Sequence, residues 1–183
     1  MQYLPMSSIH GHTGYHMYLV GALVRHALEY DAFCKRHAHH WGPLVEGSDE
    51  AEELRVPIIL EAACLVEALA NLYLIIKLKD KFDEKLEKKT STLKKWEFVP
   101  ARFLPGYTLP ADLKLDIESL VTRRNNLAHL KEQVEVDGEI IRKGNLPDAE
   151  ASEQRAIARW FALPEQLLVN LEKFDRAPEC SMI

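Results

Sequence analysis

The 183 residues are 47% hydrophobic and 28% charged with three cysteines. They suffice for one domain with its own core, so neither a disulfide framework nor a structural metal is required. The net charge of −5 excludes a globally basic nucleic-acid binder and confines any phosphate binding to a local patch.

Residues 1–14 hold Pro5, Gly11 and Gly14 among polar residues and read as a flexible N-terminal arm without the basic-then-apolar order of a signal peptide. From Tyr15 to His40 a helix is predicted, because Leu19, Leu23, Ala27 and Tyr30 recur three or four apart. Trp41-Gly42-Pro43 ends it. The acidic stretch 46–53 is expected to be a solvated loop or the first turn of the next helix. Pro57 suits a helix start or a kink. Ile58 to Leu78 is apolar, free of glycine and rich in Ala and Leu, which predicts a central buried helix. Glu61, Glu67 and Asn71 interrupt that run and argue against a membrane span. Cys64 inside it is expected to be a small buried hydrophobe, and the wide cysteine spacing points to a reducing, cytoplasmic setting.

Residues 77–95 carry eight lysines against four acids, the pattern of a solvated face or of a phosphate path toward Arg102, Arg123 and Arg124. A short helical or extended piece is expected from Leu93 to Phe98. Pro100, Pro105, Gly106 and Pro110 then mark an irregular connection. Asp112 is the predicted N-cap of a helix whose buried stripe is Leu113, Ile117, Leu120 and Leu127. The alternation around Asp137-Gly138 predicts a β-hairpin insertion near 133–142. A last helix is expected from Pro147 to Asp175, broken or kinked at Pro164, and residues 177–183 form a tail. The fold class that follows is all-α, an up-and-down helical bundle over 15–176 with a small hairpin.

The chemistry-bearing stretch is Arg123-Arg124-Asn125-Asn126-Leu127-Ala128-His129. On a helix Asn125 and His129 share a face, while Arg124 is turned about 140° from His129. One helix therefore does not aim both at one atom, but two copies related by a dyad can supply them to a shared cleft. Histidine exchanges a proton near neutrality. Arginine grips phosphate through two donors, and asparagine orients the imidazole or the substrate. RNA supplies its own nucleophile, the 2′-hydroxyl, so positioning, proton transfer and charge stabilisation suffice for its cleavage.

The spacing Arg124-x4-His129, with Asn125 after the arginine, resembles the R-x4-H motif of the HEPN superfamily. The helix Leu65-Val66-Glu67-Ala68-Leu69-Ala70-Asn71 is similar to the apolar, acid-bearing helix of such domains. Leu93-Lys94-Lys95-Trp96-Glu97-Phe98-Val99-Pro100 is similar to an element that precedes the motif helix in some members. The resemblance spans residues 57 to 131. It implies a helical bundle that dimerises through the motif helix. It also implies a metal-independent, cofactor-free endoribonuclease, in toxin–antitoxin or antiviral settings, with an antitoxin protein as partner. Arg124 and His129 would be the catalytic pair, Asn125 would assist and Glu67 would be a supporting acid. Arg123, Lys94, Lys95 and Arg102 are the expected RNA contacts. Other members are non-catalytic, so a module binding RNA, nucleotide or a protein partner stands as the alternative.

Each feature also has a plainer reading. A histidine near a helix C-terminus is favoured by the dipole alone, and Glu67 would serve equally as a core-edge salt bridge. Gly14 disfavours a helix that would align His12 with His16, and no carboxylate or cysteine joins the pair His37 and His40, so no metal site is expected.

Overall fold

The computed structural model describes residues 13–37, 49–79, 88–128, 134–136, 139–142 and 150–175. Its body is all-α: α1 (Thr13–His37), α2 (Asp49–Leu78), α3 (Thr92–Phe103), α4 (Ala111–Ala128) and α5 (Glu150–Asp175). Between α4 and α5, β1 (Val134–Val136) and β2 (Glu139–Arg142) pair antiparallel, with Val136 opposite Glu139 and a register shift between Val134 and Glu135.

Helix α2 is the hub and packs against α1, α3, α4 and α5. Its Ile58, Ile59, Ala62, Ala63, Leu65, Val66 and Ala70 are buried together. By length and composition alone, Glu50–Leu78 would pass for a membrane-crossing helix. Four helices pack around it here. Pro57 sits inside α2 rather than at its start, because the helix begins at Asp49 and takes up the acidic residues of its first turns. Lys79 closes α2 at φ 48°, the left-handed region that glycine ordinarily fills at a helix C-terminus.

The expected stripe of α1 faces this core: Leu19, Leu23 and Tyr30 are buried, Ala27 packs against them, and Phe33 extends the row. The helix starts at Thr13, two residues earlier than expected, so Gly14 is helical despite its low propensity. Residues 1–12 and the stop at Trp41-Gly42-Pro43 lie outside the described residues.

Helix α3 is longer than its sequence predicts and runs through Pro100 to Phe103. The Ser91 side chain accepts the Lys94 backbone N–H at 3.4 Å, an N-cap that starts it. Trp96, 1% exposed, donates its indole N–H to the Val66 carbonyl at 3.1 Å, which pins α3 to the middle of α2. The turn after it, Leu104-Pro105-Gly106-Tyr107, has the type II signature of Pro second and Gly third at φ 75°, with Tyr107 N–H donating to the Leu104 carbonyl at 3.1 Å.

Helix α4 begins at Ala111, with the Pro110 carbonyl accepting from Lys114 N–H. Asp112 is thus in the first turn rather than at the cap, where its charge still faces the positive end of the helix dipole. Leu113, Ile117 and Leu120 are buried, and Leu127 packs against the core from a half-buried position. Helix α5 runs through Pro164 as one element, with Leu163 and Leu167 fully buried on either side of it. Trp160 on α5 donates to the Ser119 hydroxyl of α4 at 3.0 Å.

Candidate functional site

Helix α4 delivers Arg123 and Arg124 to α2, and the two part company there. Arg123 Nη2 lies 2.8 Å from Glu52 Oε1, whereas Arg124 Nη2 lies 3.5 Å from Glu67 Oε2. Glu52 and Glu67 are fifteen residues apart, about 22 Å along the helix axis. Adjacent guanidinium groups therefore point to opposite stretches of α2 and do not form one basic fork.

The Glu52 end is closed on its arginine side only: Arg55 and Arg123 keep 3% and 13% of their side-chain surface, while Glu52 keeps 36%. Its other oxygen accepts from Arg55 at 2.6 Å, and the whole Arg55 residue is 2% exposed. Arg55 Nε and Nη1 have no hydrogen-bond partner among the described residues. Glu52 there balances two cations, one of them fully withdrawn from water.

The Glu67 end is open. Arg124 and Glu67 keep 30% and 38% of their side-chain surface. Glu67 also lies 3.8 Å from Lys95 Nζ, which donates to Asn71 Oδ1 at 2.7 Å. Lys95 is 3% exposed, so its ammonium serves α2 from inside, whereas the sequence suggested an RNA contact. Lys94 and Arg102 are exposed on one face of α3 with Phe98 between them, beside an apolar cavity of about 140 Å³ lined by Leu74, Leu78 and Val99. Asn125 is half-buried on α4. His129 lies one residue beyond the end of α4, outside the described residues.

Between these features α2 presents an uncovered strip of Leu60, Cys64, Ala68 and Asn71, all half-buried or exposed. Cys64 is exposed, which corrects its expected burial. The alternation of large and small residues in α2 makes it apolar on every side, so hydrophobicity alone does not tell which side four neighbours leave bare. Partial loss of solvent pushes the Cys64 thiol up, Arg124 opposes that shift, and Glu67 and Glu61 add to it. Glu61 stands on the other flank of the strip, with its Oε2 2.8 Å from His26 Nδ1 of α1. Glu61 and Glu67 are each turned about 60° from Cys64 around the axis. The strip is thus rimmed by a histidine–carboxylate pair on one side and an arginine–carboxylate pair on the other.

The structure thus brings together Arg124, Glu67 and Lys95, and sends Arg123 elsewhere. Sequence reasoning missed His26, Glu61 and Glu52, because each is identified by a cross-helix partner and not by spacing along the chain, and Arg55, whose i,i+3 spacing from Glu52 was legible but whose burial was not. Among the described residues no group of three or more His, Cys, Asp or Glu could hold a metal ion. Comparisons of the chain with protein-family models, with curated proteins and with solved structures give no match.

Proposed function

We propose that the chain is a metal-independent endoribonuclease of HEPN type that works as a homodimer, in the cytoplasm, as part of a toxin–antitoxin or antiviral system. In this reading the five helices form a HEPN-like up-and-down bundle with a hairpin insertion near 133–142. His129 moves the proton at the 2′-hydroxyl or the leaving oxygen, Arg124 stabilises the charge on phosphorus, and Asn125 orients the imidazole or substrate. Glu67 holds Arg124 at the rim until phosphate replaces it. The products are a 2′,3′-cyclic phosphate or 3′-phosphate and a 5′-hydroxyl.

The observation that carries the reading is the half-exposed Arg124 guanidinium, held by a half-exposed carboxylate beside the bare strip of α2. A second copy approaching that strip would bring its own motif helix to the same place. Lys94 and Arg102, exposed around Phe98, offer a path for the rest of the strand. Digestion of RNA by the purified chain in EDTA tests it. Cleavage is expected, with loss in both His129→Ala and Arg124→Ala; undiminished cleavage by His129→Ala refutes the assigned chemistry.

A second reading is favoured by Glu67 already pairing with one nitrogen of Arg124. The chain would then be a non-catalytic HEPN-like module that binds RNA, nucleotide or a protein partner, with Arg124 as anion anchor. It predicts salt-sensitive binding of RNA or nucleotide without any cleavage.

A further inference from the structure

Helix α1 has a second apolar face that the core does not use. Met17, Gly21, Val24 and Leu28 lie within about 60° of one another around the axis, opposite the side that carries buried Leu19, Leu23 and Phe33 to α2. Met17 and Leu28 are 69% and 64% exposed, and Val24 is 41% exposed. The next charges on this line, Asp31 and Lys35, are bound to each other at 2.6 Å and lie past its end. Alongside runs an apolar groove of about 440 Å³ between α1 and α5, lined by Val24, Ala27, Leu28, Ile157 and Phe161.

We propose that this face pairs two copies of the chain, α1 against α1 and antiparallel about a two-fold axis. The spacing of the four residues is four, three, four, which reads the same from either end. An antiparallel dyad midway between Ala22 and Leu23 then sets Met17 against Leu28 of the other copy and Val24 against Gly21. Gly21 makes this pairing possible. A β-carbon built there meets nothing within 4 Å in the protomer, so the space above it is open to the partner's valine. Large residues at the ends and a small–medium pair in the middle make the surface its own complement, as an isologous contact requires.

Exposure points the same way. Met17, Val24 and Leu28, with Phe161 of α5 across the groove, form one exposed apolar patch of the kind that marks an interaction site. The seam lies on the side of α1 turned away from α2, so it does not rest on the nuclease reading. If the motif face also pairs, two dyads that meet at right angles give a four-chain assembly.

Light scattering on the eluting wild-type chain, Gly21→Leu and Val24→Glu tests the seam, with Leu115→Glu on exposed α4 as control. Gly21→Leu is the sharp variant. Leucine favours the helix and its β-carbon meets no atom of its own protomer, yet its side chain fills the space the partner's Val24 needs. The mass is expected to halve in Gly21→Leu and Val24→Glu, with unchanged helical circular dichroism, and to stay at the wild-type value in Leu115→Glu. A single-chain mass for the wild type overturns the proposal, as does an undiminished mass in both α1 variants. An undiminished mass in both α1 variants overturns the seam alone and leaves the nuclease reading to RNA cleavage, whereas a single-chain wild type also removes the homodimer that reading needs.

Discussion

Two stretches of α2 receive neighbouring arginines from α4 and treat them differently. The two carboxylates are about equally exposed, at 36% and 38%, but Glu52 meets Arg123 and Arg55, whose side chains are 13% and 3% exposed, while Glu67 meets an Arg124 that is 30% exposed. The residue types are the same and the distances differ by less than 1 Å. Burial decides what each pair can do. A guanidinium withdrawn from solvent is bound to its carboxylate by the cost of leaving either charge alone, while a half-exposed pair is worth little and is easily exchanged for another anion. The first is a fastener between helices, and the second is where a phosphate can compete.

The largest expected effect breaks the fastener. Glu52→Ala leaves Arg55 buried without its partner and Arg123 without its anchor, and should destabilise the fold by about 3–5 kcal/mol in urea titrations. Adding Arg55→Met to that variant should recover much of the loss, since an apolar side chain of similar length needs no counter-ion. A Glu52→Ala chain as stable as wild type would show that the closed end is not held by charge.

Next comes Lys95, which reaches the Glu67 end from inside. Lys95→Ala removes a charge-assisted hydrogen bond to the half-buried amide oxygen of Asn71 and should cost about 1–2 kcal/mol. Its folded fraction should bind RNA with wild-type affinity and an unchanged salt slope, whereas Lys94→Ala and Arg102→Ala should lower that slope by about one phosphate contact each. A reduced slope for Lys95→Ala would return it to the RNA contacts.

These two residues mark how far the sequence is readable. The apolar periodicity of α1, the glycine-free run of α2, the irregular connection around Pro105, Gly106 and Pro110 and the stripe of α4 are local patterns, and the structure reproduces them. Boundaries failed where a local rule met packing. Gly14, Pro100 and Pro164 all sit inside helices, because burying the helix faces outweighs one poor residue. At the site, Arg124 and Glu67 were both legible as residue types, but their contact was not. Lys94 and Lys95 look alike in the sequence, and only the rotation of α3 around buried Trp96 makes one solvent-facing and the other internal. Cys64 failed for the same reason, since an all-apolar helix does not state which side stays bare.

The open end should respond in the opposite way to the closed one. Arg124→Ala removes a half-exposed pair at 3.5 Å and should change stability by less than about 1 kcal/mol. If the nuclease reading holds, the same substitution lowers cleavage at least ~100-fold through the lost charge stabilisation. A large drop in melting temperature for Arg124→Ala would make both ends fasteners and remove the contrast.

The smallest effect tests the rule itself at a third carboxylate. Asp116 on α4 lies 3.2 Å from Arg159 on α5, and its carboxyl is nonetheless pushed up, by burial first, against the pull of Arg159 and with Asp112 adding to the rise. A raised pKa in the fold means that ionisation costs the folded state more than the unfolded chain. That penalty is fully present above the folded pKa, shrinks as pH falls through it, and vanishes below the ordinary value of 3.8. Asn mimics the protonated side chain, so Asp116→Asn should melt higher than wild type at pH 7, by no more than about 2–4 °C, the shift of ~1 kcal/mol in a chain of this length. The two melting curves should converge as the pH approaches 4. A variant that melts lower than wild type at pH 7 would mean that the Arg159 pair outweighs burial at this site. The half-exposed Arg124–Glu67 pair would then have to be counted as a structural bond as well.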